Sequence, residues 1–178
     1  MKLSRNRGEN LKERDYLYSP WRLEYVAGTK EPGCVLCRHK DESKDEAHLI
    51  IARFKHCYVM LNLYPYNNGH IMLVPYAHHS SLQDLDQPTR TELMEVMSHS
   101  EGILRQLYRC DGLNIGLNLG KAAGAGIDEH LHFHLVPRWQ GDANFLSVVS
   151  GERVIPESLE AAYSRLRQAY LKCKLYKD

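Results

Sequence analysis

The chain predicts an α+β domain: an antiparallel sheet of about five strands with two main helices packed on it. Three observations carry this expectation. Segments rich in Val, Ile and Tyr follow one another with no helical pattern between them, and two long segments repeat apolar residues three and four apart. One further segment, His130-Leu131-His132-Phe133-His134, alternates strictly between histidine and apolar residues. Alternation is the period of a strand, and a three-to-four spacing is that of a helix. Strands that cluster along the chain, without a helix after each one, describe α+β and not α/β.

Each element has its own signal. Residues 1–19 are polar and basic (Lys2, Arg5, Arg7, Lys12, Arg14) with no period, which predicts a flexible tail ahead of a single domain spanning 20–178. Pro20 to Val26 suits a short helix with Pro20 near its first turn and Gly28 as its stop. His48 to Phe54 and Cys57 to Leu63 predict two strands; Tyr64-Pro65-Tyr66-Asn67-Asn68-Gly69 supplies a loop, and His70 to Pro75 a third strand, giving a meander. Asp86 caps a long helix with Pro88 in its first turn, and Leu93, Met97, Ile103, Leu104 and Leu107 form its apolar face until Gly112. Leu113 to Leu119 and Leu131 to Val136 add two strands around a glycine-rich loop. Pro156 opens a last helix with Leu159, Tyr163, Leu166 and Tyr170 on one stripe.

Composition narrows the function classes. The 178 residues carry 23 Lys and Arg against 22 Asp and Glu, a net charge of +1, so bulk attraction to a nucleic acid polymer or a membrane is not expected and any phosphate site must be local. No apolar run is long enough to span a bilayer, and the first residues lack the hydrophobic core of a secretory signal, which predicts a cytoplasmic protein. Five cysteines do not form an even disulfide framework, but Cys34-Val35-Leu36-Cys37 has the C-x-x-C spacing of a metal or redox pair.

The alternating histidines admit three readings. They could merely hydrogen-bond on a half-solvated sheet; they could form a metal site, since His-x-His on a strand offers two nitrogens to one ion; or a neutral imidazole could act as a nucleophile toward phosphorus. The loop Gly120-Lys121-Ala122-Ala123-Gly124-Ala125-Gly126 lies just upstream. Its glycines permit positive φ and close backbone approach, so amide N–H groups can turn toward an anion. It is neither a Walker loop nor a dinucleotide fingerprint, because no Lys-Ser/Thr follows and a strand, not a helix, comes next.

His130 through Arg138, read with Asn62, Gly69-His70, Val74-Pro75 and Leu113-Asn114 through Gly120, resembles the histidine triad (HIT) family of nucleotidyl hydrolases and transferases. The resemblance implies the small antiparallel sheet with two helices already expected, paired across a two-fold into a homodimer. It implies a nucleotide substrate, with His132 as the nucleophile on the α-phosphorus, His134 as the neighbour that binds phosphate and assists the leaving group, and His130 as the residue that orients the nucleophilic ring. Asn62 would bind ribose, and Asn118 with Gly120, Gly124 and Gly126 would lie near the phosphates. Several branches hold zinc through C-x-x-C and two histidines, which implies a structural zinc at Cys34, Cys37, His78 and His130, with His79 a rival to His78.

Ser19 to Tyr25 and Pro137 to Phe145 resemble the bacterial branch that includes a diadenosine tetraphosphate phosphorylase. The implied reaction is cleavage of dinucleoside polyphosphates by hydrolysis or phosphorolysis. Hydrolysis of a nucleoside phosphoramidate or acyl nucleotide, or nucleotide binding without turnover, is the alternative. Where many members have Gln, Ser or Thr before the triad strand, this chain has Ala125-Gly126-Ile127. Backbone amides would then replace side-chain contacts to phosphate.

Overall fold

The computed structural model describes residues 33–142 and 157–172. The expected tail over 1–19, the short helix over 20–26 and Pro156 lie outside the described residues. Five strands form one sheet: β1 (Ile50–Arg53), β2 (Cys57–Leu61), β3 (Ile71–Pro75), β4 (Gly112–Leu117) and β5 (Phe133–Arg138). Their order is β1-β2-β3-β5-β4, with every neighbouring pair antiparallel. Helices α1 (Gln87–Tyr108) and α2 (Leu159–Leu171) complete the domain.

Side-chain alternation sorts the sheet into two faces. Cys57, Val59 and Leu61 of β2, Ile71 and Leu73 of β3 and Leu135 of β5 join the main core with Leu93, Val96, Met97 and Leu104 of α1 and Tyr163, Leu166 and Tyr170 of α2. Full burial of each aliphatic side chain is worth about 1.5–3 kcal/mol, so this face holds the fold together. Tyr58, Met72 and Val74 point the other way and pack with Leu36 and Ile50. Register aligns one row on this second face across the whole sheet: Ile50 opposite Met60, Met60 opposite Met72, Met72 opposite His134, and His134 opposite Gly116. An apolar strip therefore leads directly to an imidazole.

The helices follow their predicted signals, with one shift. Asp86 accepts a hydrogen bond from the Thr89 amide at 2.9 Å and Pro88 sits in the first turn of α1. The helix was expected to run to Gly112 but stops at Tyr108, because Arg109 takes a left-handed conformation (φ 47°, ψ 41°) and Gly112 already pairs with Arg138 in the sheet. Ser158 caps α2 by accepting from the Ala161 amide. Buried Tyr170 donates to Ser100 Oγ at 2.6 Å, and Ser100 in turn donates to the Val96 carbonyl, locking α2 onto α1.

The histidine segment also departs from expectation. Alternation predicted a strand over the whole segment, yet the β5 ladder begins only at Phe133. Upstream, the His130 ring hydrogen-bonds the carbonyl of Pro75, the last residue of β3, at 2.9 Å, and the Leu131 amide donates to the His79 carbonyl in the loop beyond at 2.8 Å, so side-chain and loop bonds replace the ladder there. Leu131, Phe133 and Leu135 still face the helix-side core as the alternation requires.

Gly69 fixes the turn into β3. It has φ of 69°, and an added Cβ would lie 2.5 Å from the Tyr108 ring. That ring is held by a hydrogen bond to Glu157 and by the Arg165 guanidinium stacked over it at 4.3 Å. Gly69→Ala is therefore expected to destabilise by on the order of 2 kcal/mol, combining positive-φ strain with overpacking. A lower urea midpoint at unchanged slope checks this, and an unchanged midpoint contradicts it.

Candidate active site

Cys34 and Cys37 bracket the start of a short 3-10 helix over Val35–Lys40, whose first turn is closed by the Cys37 amide on the Cys34 carbonyl at 3.0 Å. The Tyr58 hydroxyl donates to the Leu36 carbonyl at 2.6 Å and pins this turn to β2. There the thiols meet two histidines. Cys34 Sγ lies 3.4 Å and Cys37 Sγ 3.5 Å from His130 Nδ1, and Cys37 Sγ lies 3.3 Å from His78 Nδ1. All four ligand atoms fall within 4.8 Å of one another.

These spacings fit a metal of the expected kind. A tetrahedral shell with Zn–S of about 2.3 Å and Zn–N of about 2.0 Å has S···N edges of about 3.5 Å. His130 Nε2 must donate to the Pro75 carbonyl, 2.9 Å away, since a carbonyl only accepts. Its Nδ1 lone pair is thereby left for the cluster, the outer-sphere arrangement that ligating histidines ordinarily show. Of the two adjacent candidates, both exposed, His78 brings its Nδ1 to the Cys37 thiol, while His79 offers its backbone carbonyl to Leu131.

His132 and His134 turn away from this cluster and line a cavity of about 340 Å³ on the second face of the sheet. Their rings meet edge to face, 4.9 Å between centroids. The His132 ring bonds through Nδ1 to the His130 carbonyl at 2.9 Å; the carbonyl accepts, so Nδ1 carries the proton and Nε2 keeps its lone pair. Burial depresses the His132 pKa, opposed in part by that same bond, and burial with the neighbouring His132 pushes His134 down to about 4. Both shifts favour the neutral ring near neutral pH, the state a nucleophilic imidazole requires.

The rest of the cavity grades from apolar to polar. Ile50, Met60 and Met72 from the aligned row, with Tyr58 and Leu49, form its apolar end. Asn62 and Asn118 also line it. The Asn62 side chain accepts from the Tyr64 amide at 3.0 Å through Oδ1, which directs its NH₂ group toward His70 Nδ1, 3.4 Å away. Gly124 and Gly126 reach the wall; Gly120 is not among the lining residues.

The glycine loop is more self-contained than expected. Gly120 and Gly124 do take positive φ, 79° and 87°, but the turn they allow consumes donors. The Ala123 and Ala125 amides donate to the Gly120 carbonyl and the Gly124 amide to the Lys121 carbonyl. Three amides expected to face an anion are thus engaged within the loop.

Sequence reading missed two kinds of residue here. Val35 reaches the cavity from the 3-10 helix and Ala47, Tyr64 and Tyr66 from turns and bends, where no periodicity marks them, and His48 and Leu63, expected within strands, reach it from just outside β1 and β2. His70, fully buried and 3.0 Å from His134, had a usable signal: carrying the β3 alternation back from Val74 and Met72 puts residue 70 on the histidine face.

An antiparallel sheet with helices on one face and a histidine-lined cavity on the other defines the class, and a family model described as the HIT domain matches residues 43–141. The chain belongs to the HIT family. It is 41% identical over 151 residues to a protein of Mycobacterium tuberculosis named AP-4-A phosphorylase, covering 80% of this chain and 77% of the relative. The adenosine 5'-monophosphoramidase of Saccharomyces cerevisiae is 28% identical over 110 residues, covering 62% of this chain and 65% of the relative. A solved structure of a zinc-bound histidine triad family protein from Mycobacterium smegmatis superposes with a TM-score of 0.61 at 27% identity, covering 79% of this chain and 94% of that one.

Proposed function

We propose that the protein is a nucleotidyl-histidine enzyme that cleaves dinucleoside polyphosphates at the α-phosphate and passes the nucleotidyl group to inorganic phosphate. The observation that carries this reading is His132, whose proton is tied to the His130 carbonyl while its Nε2 lone pair stays available beside the cavity. The 41% identity to a protein named AP-4-A phosphorylase supports the choice of substrate and acceptor.

The chemistry follows from the geometry. His132 Nε2 attacks the α-phosphorus, a P–N bond forms, and the bond to the bridging oxygen breaks with its electron pair leaving on the polyphosphate. A phosphate oxygen then attacks the same phosphorus and the P–N pair returns to His132. One difficult displacement becomes two easier ones. His130 orients the nucleophile through its main-chain carbonyl while its ring faces Cys34, Cys37 and His78. His134 binds the phosphate and assists departure. Ile50, Met60 and Met72 offer the base an apolar floor, with Asn62 for the ribose and Asn118, Gly124 and Gly126 toward the phosphates; Gly120 shapes the loop.

Cys34, Cys37, His78 and His130 would hold zinc. With four protein ligands the ion would be structural, bracing the start of the histidine segment against the loop after β3. We further propose a homodimer joined at β4, one of the two outer strands of the sheet, where Asn114 to Gly116 are exposed and Ile115 keeps 41% of its surface in solvent. A cytoplasmic location fits Cys34, Cys37, Cys57 and Cys110, all free thiols. No helix among the described residues is long and apolar enough to cross a membrane. The expected single domain over 20–178 and the tail over 1–19 are retained in this proposal.

Product analysis tests it. With diadenosine tetraphosphate, ADP plus ATP should appear only when inorganic phosphate is present. AMP plus ATP at a rate indifferent to phosphate would make water the acceptor, and AMP binding with no product from any such substrate would leave a binding module.

A further inference from the structure

His132 and His134 stand side by side on one cavity, but their tautomers are set from opposite directions. For His132 the determinant is an acceptor, the His130 carbonyl. For His134 it is a donor two steps away. The Tyr66 amide, which can only donate, lies 3.0 Å from His70 Nδ1. The Asn62 NH₂ group approaches the same nitrogen at 3.4 Å, its orientation set by the Tyr64 amide on Oδ1. His70 Nδ1 is therefore an acceptor, and the proton of the neutral ring resides on Nε2. That nitrogen is 3.0 Å from His134 Nδ1. His134 Nδ1 must accept, which leaves its own proton on Nε2.

We propose that His70 is a positioning residue that holds His134 in the Nε2–H tautomer, so that the two cavity imidazoles present one bare nitrogen and one N–H donor side by side. The polarity matters because the ligand in question is an anion. A bare nitrogen at His134 would set a lone pair against phosphate oxygens, whereas an N–H donates to them as negative charge shifts during transfer. The assignment of roles rests on the nucleotidyl-histidine reading above; the tautomer itself does not.

The surroundings keep the relay fixed. His70 has no exposed surface, so water cannot replace either partner. Tyr66 stacks on the His70 ring at 4.9 Å and 24°, and its amide supplies the donor, so one residue restrains both ring plane and proton position. Gly69, whose positive φ and contact with Tyr108 fix the chain immediately before His70, makes the approach reproducible.

Two variants separate positioning from mere packing. His70→Gln keeps an acceptor for Tyr66 and a donor for His134, whereas His70→Phe keeps ring volume and removes both. In protein labelled with ¹⁵N-histidine, the wild-type signals of His134, assigned by their loss in His134→Gln, should show an unprotonated Nδ1 and a protonated Nε2. His70→Phe should shift His134 toward the other tautomer and lower kcat by about 10- to 100-fold with little change in KM, the usual cost of an outer-sphere partner. His70→Gln should restore most of kcat and the wild-type signals. A protonated Nδ1 on His134 in the wild type overturns the proposal even if His70→Phe does not fold. So does a folded His70→Phe with wild-type kcat, or a His70→Gln as impaired as His70→Phe. If His132→Ala retains turnover while the His134 signals are as expected, the enzymatic reading fails and the tautomer assignment stands.

Discussion

His132→Ala is expected to lower kcat by about 10⁴-fold or more, because it removes the proposed nucleophile and would return the reaction to a single direct displacement. Fold and ligand binding should survive. The ring is 7% exposed, bonds to the His130 carbonyl and meets the His134 ring edge to face, while the apolar floor and Asn62 do not depend on it. Nucleotide affinity measured by titration with AMP should therefore change far less than turnover. A second measurement tests the intermediate itself: quenching the wild type in alkali during turnover of labelled substrate should trap a nucleotidyl-protein adduct, absent from His132→Ala. Turnover at the wild-type rate in that variant removes the nucleophile assignment.

The second large effect concerns the Cys/His cluster. Purified under reducing conditions, the protein should contain one zinc per chain, and Cys34→Ala with Cys37→Ala should contain none. Removing those ligands should lower Tm by roughly 10 °C, the shift that a loss of several kcal/mol produces in a domain of this size. The reason is mechanical as well as thermodynamic. Among the described contacts, the segment of Cys34 and Cys37 is tied to the sheet by the Tyr58–Leu36 hydrogen bond, by Leu36 packing and by the two thiols against His78 and His130. Since Val35, Leu36 and Arg38 line the cavity, loosening that turn should also weaken nucleotide binding. Purified protein free of stoichiometric metal, with an unchanged Tm in the double variant, would show the cluster to be four unliganded side chains.

Most elements were legible because their residues declare them. β2 and β3 are short apolar runs between turn residues, α1 and α2 carry apolar stripes, and Asp86 with Pro88 marks a helix start, so the sheet and both helices could be read without any long-range information. Boundaries were less legible. The β5 ladder starts at Phe133 because the His130 ring finds an acceptor at the end of β3 and the Leu131 amide one in the loop after it, more than fifty positions earlier. Likewise α1 ends at Tyr108 on an arginine in the left-handed region, a conformation for which glycine is the ordinary signal.

For the site, the chain alone named the chemistry: three alternating imidazoles, a C-x-x-C pair and a glycine loop specify which atoms can bind metal or attack phosphorus. Residue type decides that much, since a side chain carries its donors wherever it is placed. The tertiary structure decided which nitrogen does what. It turned His130 toward the thiols and His132 and His134 toward the cavity, chose His78 over His79 for the thiols, engaged the loop amides internally, and brought His70 to His134. A proton sits on one imidazole nitrogen or the other according to what faces it, and the groups that face these rings come from distant parts of the chain.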